Sequence, residues 1–123
     1  MSAIDDEVTE IVADLTAAGL AVTADPTEVG AVISREGYAV LVGPPAVTGK
    51  TLAGNLGLEA PVHIVVCPPA GLREYRNAWG PLETCLAVLQ TSAADRVALT
   101  LGDQVFPTYL INAARRTAAS STP

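Results

Sequence analysis

Apolar residues at the start of the chain recur at helical spacing. Ile4, Val8, Ile11, Val12, Leu15 and Ala18 fall on one face, and Asp5, Asp6, Glu7, Glu10 and Asp14 take the others, which predicts an amphipathic helix. Ser2, three residues before Asp5, resembles the start of a capping box. The early carboxylates suit the positive end of the helix dipole, and Gly19 suits the position just past the helix end. The period then changes. A short strand is expected over residues 20–23, closed by Asp25-Pro26. Val29, Ala31 and Ile33 alternate as a further strand leading to a turn at Arg35-Glu36-Gly37.

Two later runs are continuous where a half-buried strand would alternate. Tyr38-Ala39-Val40-Leu41-Val42 and Val62-His63-Ile64-Val65-Val66-Cys67 each stop at a double proline, Pro44-Pro45 and Pro68-Pro69. Proline cannot donate to a ladder, and unbroken apolar runs predict central strands covered on both faces. Between them, residues 46–60 hold Gly49, Gly54 and Gly57 and read as a long binding or mobile loop. Residues 70–79 read as a second long connection. From Pro81, placed as a first helical residue, Leu82, Cys85, Leu86 and Leu89 predict a second helix ending near Ser92.

Val97, Leu99 and Leu101 then alternate with Ala98 and Thr100. Gly102-Asp103-Gln104 offers turn chemistry before Val105-Phe106-Pro107-Thr108-Tyr109-Leu110-Ile111, a hairpin signal. The expectation is one α+β domain over residues 1–114, a mixed or antiparallel β-sheet with two helices packed on it. A small, polar, flexible tail is expected over residues 115–123, beginning at Arg115 and Arg116.

Composition adds a reason to expect neighbours. Hydrophobic residues make up 50% of the 123 positions before glycine is counted, where roughly 45–50% with glycine included is usual. Charged residues are 16%, against about 25% in an ordinary domain. A domain this small has too much surface per volume to hide that apolar area alone, and interface cores are where charge is lost. The pattern predicts an oligomer.

The net charge is −6, with eight of the 13 acids in the first 36 residues. That sign disfavours a sequence-independent grip on duplex DNA. The first residues are acidic where a secretory leader would be basic, and no apolar run reaches the roughly 18–20 residues that span a bilayer. Synthesis in a cytosol, away from membranes, is therefore expected.

Candidate chemistry is sparse. Gly43-Pro44-Pro45-Ala46-Val47-Thr48-Gly49-Lys50-Thr51 follows an apolar strand, as a phosphate loop would, but five residues separate Gly43 from Gly49. The phosphate loop needs four there, and the two prolines lack amides to cradle phosphate. Lys50 and Thr51 are accordingly taken as assembly-loop residues. His63 has no partner acid or nucleophile marked by spacing, which makes it a structural histidine. Cys67 and Cys85 form no Cys-x-x-Cys pair and read as buried thiols. No catalytic, cofactor or metal motif is found, and no enzyme activity is expected. Arg73, Tyr75, Arg76 and Trp79 form the only basic-aromatic cluster, the residue types that anchor protein interfaces. Stacking on a single-stranded nucleic acid, or a core with a wet rim, are the competing readings.

Taken in order, the acidic helix, the strand at 38–42, the loop, the strand at 62–67, the Leu-rich helix and the closing hairpin resemble a known family. With Gly102-Asp103-Gln104-Val105-Phe106-Pro107-Thr108-Tyr109 as the most specific part, the chain looks like a tail terminator of long-tailed bacteriophages, particularly those of actinobacterial hosts. The resemblance covers nearly the whole chain in order and size. It implies a ring-forming virion subunit, hexameric, assembled in the host cytoplasm and located in the tail or neck. It implies three kinds of partner: copies of itself, the major tail tube protein and the head-tail connector or stopper, with DNA only as passing cargo. Under it, Asp5, Asp6 and Glu10 are candidate channel-facing acids that keep exiting DNA from sticking. A head-to-tail stopper or completion subunit is the near alternative. A small cytosolic α/β ligand-binding domain or enzyme, and a cellular interaction module anchored on residues 73–79, are the readings from other classes.

Overall fold

A computed structural model of the chain describes residues 2–50 and 54–117. The first helix, α1 (Ala3–Ala17), begins as its sequence predicts: the Asp5 N–H donates to the Ser2 hydroxyl oxygen at 2.9 Å. It ends in a Schellman motif, with the Leu20 N–H donating to the Leu15 carbonyl at 3.3 Å and the Gly19 N–H to that of Thr16 at 3.0 Å. Gly19 has φ +90°, which explains the glycine. Ile11 and Leu15 are the buried stripe of this helix.

A two-residue strand β1 (Val22–Thr23) leads to a short 3₁₀ turn at Pro26–Glu28 and then to α2 (Val29–Glu36). This segment was expected as a strand. The alternation of Val29, Ala31 and Ile33 is real, but Val29, Val32 and Ile33 also lie at helical spacing, and those three are the buried ones. The helix wins because that stripe packs on Ala39, Leu41 and Val65 of the sheet. Gly37, at φ +82°, closes it.

Strands β2 (Tyr38–Val42), β3 (Ala46–Lys50) and β4 (Leu56–Val66) follow. The expected loop over residues 46–60 is instead largely β3 and the first half of β4, paired antiparallel from Ala46↔Glu59 to Lys50↔Leu56. Gly57 makes room there: a Cβ would lie 2.8 Å from the Thr48 hydroxyl oxygen and push that side chain aside.

Helix α3 (Leu72–Leu89) starts nine residues before Pro81, which lies inside it. The 70–79 connection is thus the first half of a helix. Proline removes one internal hydrogen bond at a cost of about 3 kcal/mol, and the burial of Ala78 with the packing of Tyr75 outweighs it. Glu74 accepts from the Gly71 N–H at 3.2 Å, the return half of a capping box whose other half glycine cannot supply.

The hairpin is present as β5 (Asp95–Leu101) and β6 (Gln104–Arg116). Its connection is two residues, with Leu101 and Gln104 paired, and Gly102 at φ +62° in the first turn position marks a type II′ turn. β6 pairs with β4 as far as Gly57↔Arg116, and Thr117 is buried with its N–H on the Leu56 carbonyl. The tail therefore does not begin at Arg115; residues 118–123 of it lie outside the described residues.

The sheet order is β1-β2-β4-β6-β5, with β3 beside the first half of β4. Among the described residues only β1 and β2 run parallel, so the sheet is mixed and the domain is α+β, with three α-helices where two were expected. Val40, Val42, Val62, Ile64, Val66 and Ile111 face α1 and α3, while Ala39, Leu41, Val65 and Phe106 face α2. That division explains the continuous apolar runs: both faces of β2 and β4 are covered. Among the described residues, no helix is long and apolar enough to cross a membrane.

Candidate functional site

The basic-aromatic residues 73–79 lie on the first half of α3, a helix that packs on β4 and β6. Tyr75 meets Tyr109 of β6 edge to face, with ring centroids 5.6 Å apart and planes at 70°. The Trp79 indole N–H donates to the Tyr109 hydroxyl at 3.1 Å. Three aromatic residues thus form one cluster, tied at Tyr109. From the sequence Tyr109 was read as part of the closing hairpin and not as a member of this cluster; its ring contact with Tyr75 and its bond to Trp79 bring it there.

The cluster is partly open. Tyr75 and Tyr109 are half-buried, while Trp79 is 38% exposed and Leu72, one turn before Arg76, is 66% exposed. Arg73 and Arg76 are exposed, and neither forms an ion pair among the described residues. Beside them Tyr75, Arg96, Val97, Ala98 and Pro107 line a shallow depression. The surface combines arginines with aromatic and aliphatic area, the composition of an interface anchor. Lys50 is held apart from it, at the end of β3 opposite Leu56. Thr51 lies outside the described residues.

The second feature is the sheet edge. Among the described residues β5 is bonded to β6 alone, and its other side is open. In a two-residue hairpin the closing pair is hydrogen-bonded, so Leu101, Leu99, Val97 and Asp95 bond to β6. Arg96, Ala98 and Thr100 therefore direct their N–H and C=O groups outward. From Val97 to Leu101 this edge has no charge, no proline and no bulge, the usual devices that blunt one.

Asp5, Asp6 and Glu10 are exposed on α1, on the same side of the sheet as α3. The neighbouring Asp14 makes a long surface pair with Arg115 at 3.8 Å, which contributes little stability. Asp25 accepts from the Thr27 hydroxyl and N–H, which lowers its carboxyl below the ordinary range.

Cys85 is buried, and burial pushes its thiol up to about 12. Cys67 is exposed, against expectation, because β4 ends one residue before it and Pro68-Pro69 carries the chain outward. His63 is half-buried with Nδ1 3.0 Å from the Thr108 hydroxyl, and burial lowers its pKa. Among the described residues, no three His, Cys, Asp or Glu side chains gather where a metal ion could bind. Comparison with known proteins matches the chain to no family model, no curated protein and no solved structure.

Proposed function

We propose that this protein is a structural, non-enzymatic ring subunit of a long-tailed phage, the tail terminator that caps the tail tube and joins it to the head connector. The observation that carries the reading is the open β5 edge, whose outward backbone groups at Arg96, Ala98 and Thr100 are free to pair with another chain. A second copy fits best, because among the described residues the sheet's opposite margin, formed by β1 and β3, is also open and runs in the opposite direction to β5. Such a head-to-tail contact joins unlike surfaces, and it gives a ring if the rotation closes.

Exposed apolar side chains support the same reading: Val47 on β3, Leu72 and Trp79 on α3, and Val105 beside the hairpin turn. Closure leaves no free end, which is how a terminating ring stops a growing tube. The residues at 73–79 with Tyr109 then serve as a contact for tube or connector, and Asp5, Asp6 and Glu10 face the channel, where repetition around the ring repels DNA. The same geometry serves a head-to-tail stopper.

Electron micrographs of the purified protein test the proposal. Rings of uniform diameter with a central hole are the expected result. Single compact particles at every concentration, or open filaments without rings, overturn it.

A further inference from the structure

On the sheet face that carries α2, the helix covers β2 and part of β4 but leaves an open cleft running to β5. The cleft has a volume of about 210 Å³ and is walled by Leu41, Pro44, Pro61, Leu99 and Leu101, and among the described residues His63 is its one side chain bearing polar atoms. We propose that this cleft binds a neutral single-ring molecule carrying one hydroxyl group, which donates a hydrogen bond to Nε2 of His63.

The imidazole's tautomer follows from the bonds around it. We assign the Thr108 hydroxyl hydrogen to the Val97 carbonyl, 3.1 Å away. The hydroxyl oxygen can therefore only accept from His63, 3.0 Å away, so Nδ1 carries the proton. Nε2 is left as a lone-pair acceptor with no protein partner among the described residues. Burial favours the neutral ring, which keeps that lone pair free near neutral pH.

Size and charge narrow the ligand. A cavity of about 150 Å³ already holds benzene, whereas larger ligands take roughly 300–1,000 Å³. The cleft therefore fits one ring with a small substituent. Among the described residues no carboxylate lines it to hold an ammonium, and no Lys or Arg lines it to hold an anion. What remains is an apolar body with an O–H donor. The inference is independent of ring formation and stands or falls separately from it.

The test titrates the full chain with p-cresol and, in parallel, with toluene, following the imidazole nitrogens of the lone histidine by ¹⁵N NMR. The expected result is saturable binding of p-cresol that shifts Nε2 more than Nδ1, with toluene about tenfold weaker, the worth of one hydrogen bond. Two variants extend it. His63→Phe keeps a ring in place without the acceptor, and Thr108→Val removes the oxygen that fixes the tautomer; both are expected to weaken p-cresol by about tenfold while toluene is little changed. Should His63→Phe fail to fold, His63→Gln and Thr108→Val carry the comparison. Equal affinity for p-cresol and toluene, p-cresol binding that leaves the histidine signals unmoved, or no binding of p-cresol in the millimolar range each overturn the proposal.

Discussion

The Trp79 indole N–H and the Tyr109 hydroxyl, 3.1 Å apart, couple the exposed half of α3 to the long strand β6. Tyr109→Phe removes the acceptor but leaves the ring edge to face with Tyr75. Because Trp79 is partly exposed, water takes over its N–H, and the cost is expected to be small, about 0.5–1.5 kcal/mol by urea denaturation. Trp79→Ala and Arg76→Ala are expected to weaken contacts of the assembly, by at least about tenfold for Trp79 if it is an anchor. Ring formation and tube capping that are unchanged in both variants would remove this surface from the account.

Acid should destabilise the fold through His63. Its folded pKa is lowered from 6.5 by burial, so the unfolded chain binds the proton more readily. Stability is therefore expected to fall as pH drops below about 6.5, and this contribution levels off once the folded value is passed. Asp25, lowered by Thr27, acts in the same direction at more acid pH, losing its contribution as the carboxylate protonates. Denaturation midpoints measured from pH 8 to pH 4.5 for wild type and His63→Gln check this. The variant should lose the upper part of the slope, and parallel curves would be contrary to expectation.

The two cysteines are expected to differ in reactivity. Cys67 is exposed, whereas Cys85 is buried with its thiol held at about 12 and so protonated at neutral pH. A thiol reagent should label one cysteine per native chain and the second only on unfolding. Rapid labelling of both in the native protein would mean that α3 opens readily.

Much of this fold was legible in the residues, and the failures share one cause. The α1 cap and stop, the β2 strand, the buried half of β4 and the hairpin all carry signals that act within a few residues. The 29–36 segment and the first half of α3 do not. Their helicity depends on what Val32, Ile33 and Ala78 meet across the sheet, and Pro81 argues locally for a later start. β3 and the start of β4 were hidden by their glycines, Gly49 on β3 and Gly57 on β4 opposite it, where a Cβ would crowd Thr48. The aromatic cluster was half visible: Tyr75 and Trp79 stand out at helical spacing, but Tyr109, on the closing hairpin, joins them only through its contacts with both. The His63 cleft left no local trace, since its walls come from four separated stretches of chain.

Pro81 gives a direct measure of what tertiary packing outweighs. Pro81→Ala restores a helical N–H opposite the Asn77 carbonyl, worth up to about 3 kcal/mol, while the unfolded chain gains entropy that offsets about 1 kcal/mol. A net stabilisation of about 2 kcal/mol is expected by urea denaturation. Destabilisation would show that the half-buried proline ring packs better than the restored bond.

Sedimentation velocity on wild type and Ala98→Pro addresses self-assembly through β5 most directly. Proline at position 98 removes an outward N–H without touching the bonds to β6, so the protomer keeps its fold but loses the edge. Wild type is expected to sediment as one closed species of several subunits, and Ala98→Pro as a folded single chain. A wild type that stays single at all concentrations, or an Ala98→Pro variant that assembles equally well, would contradict the account.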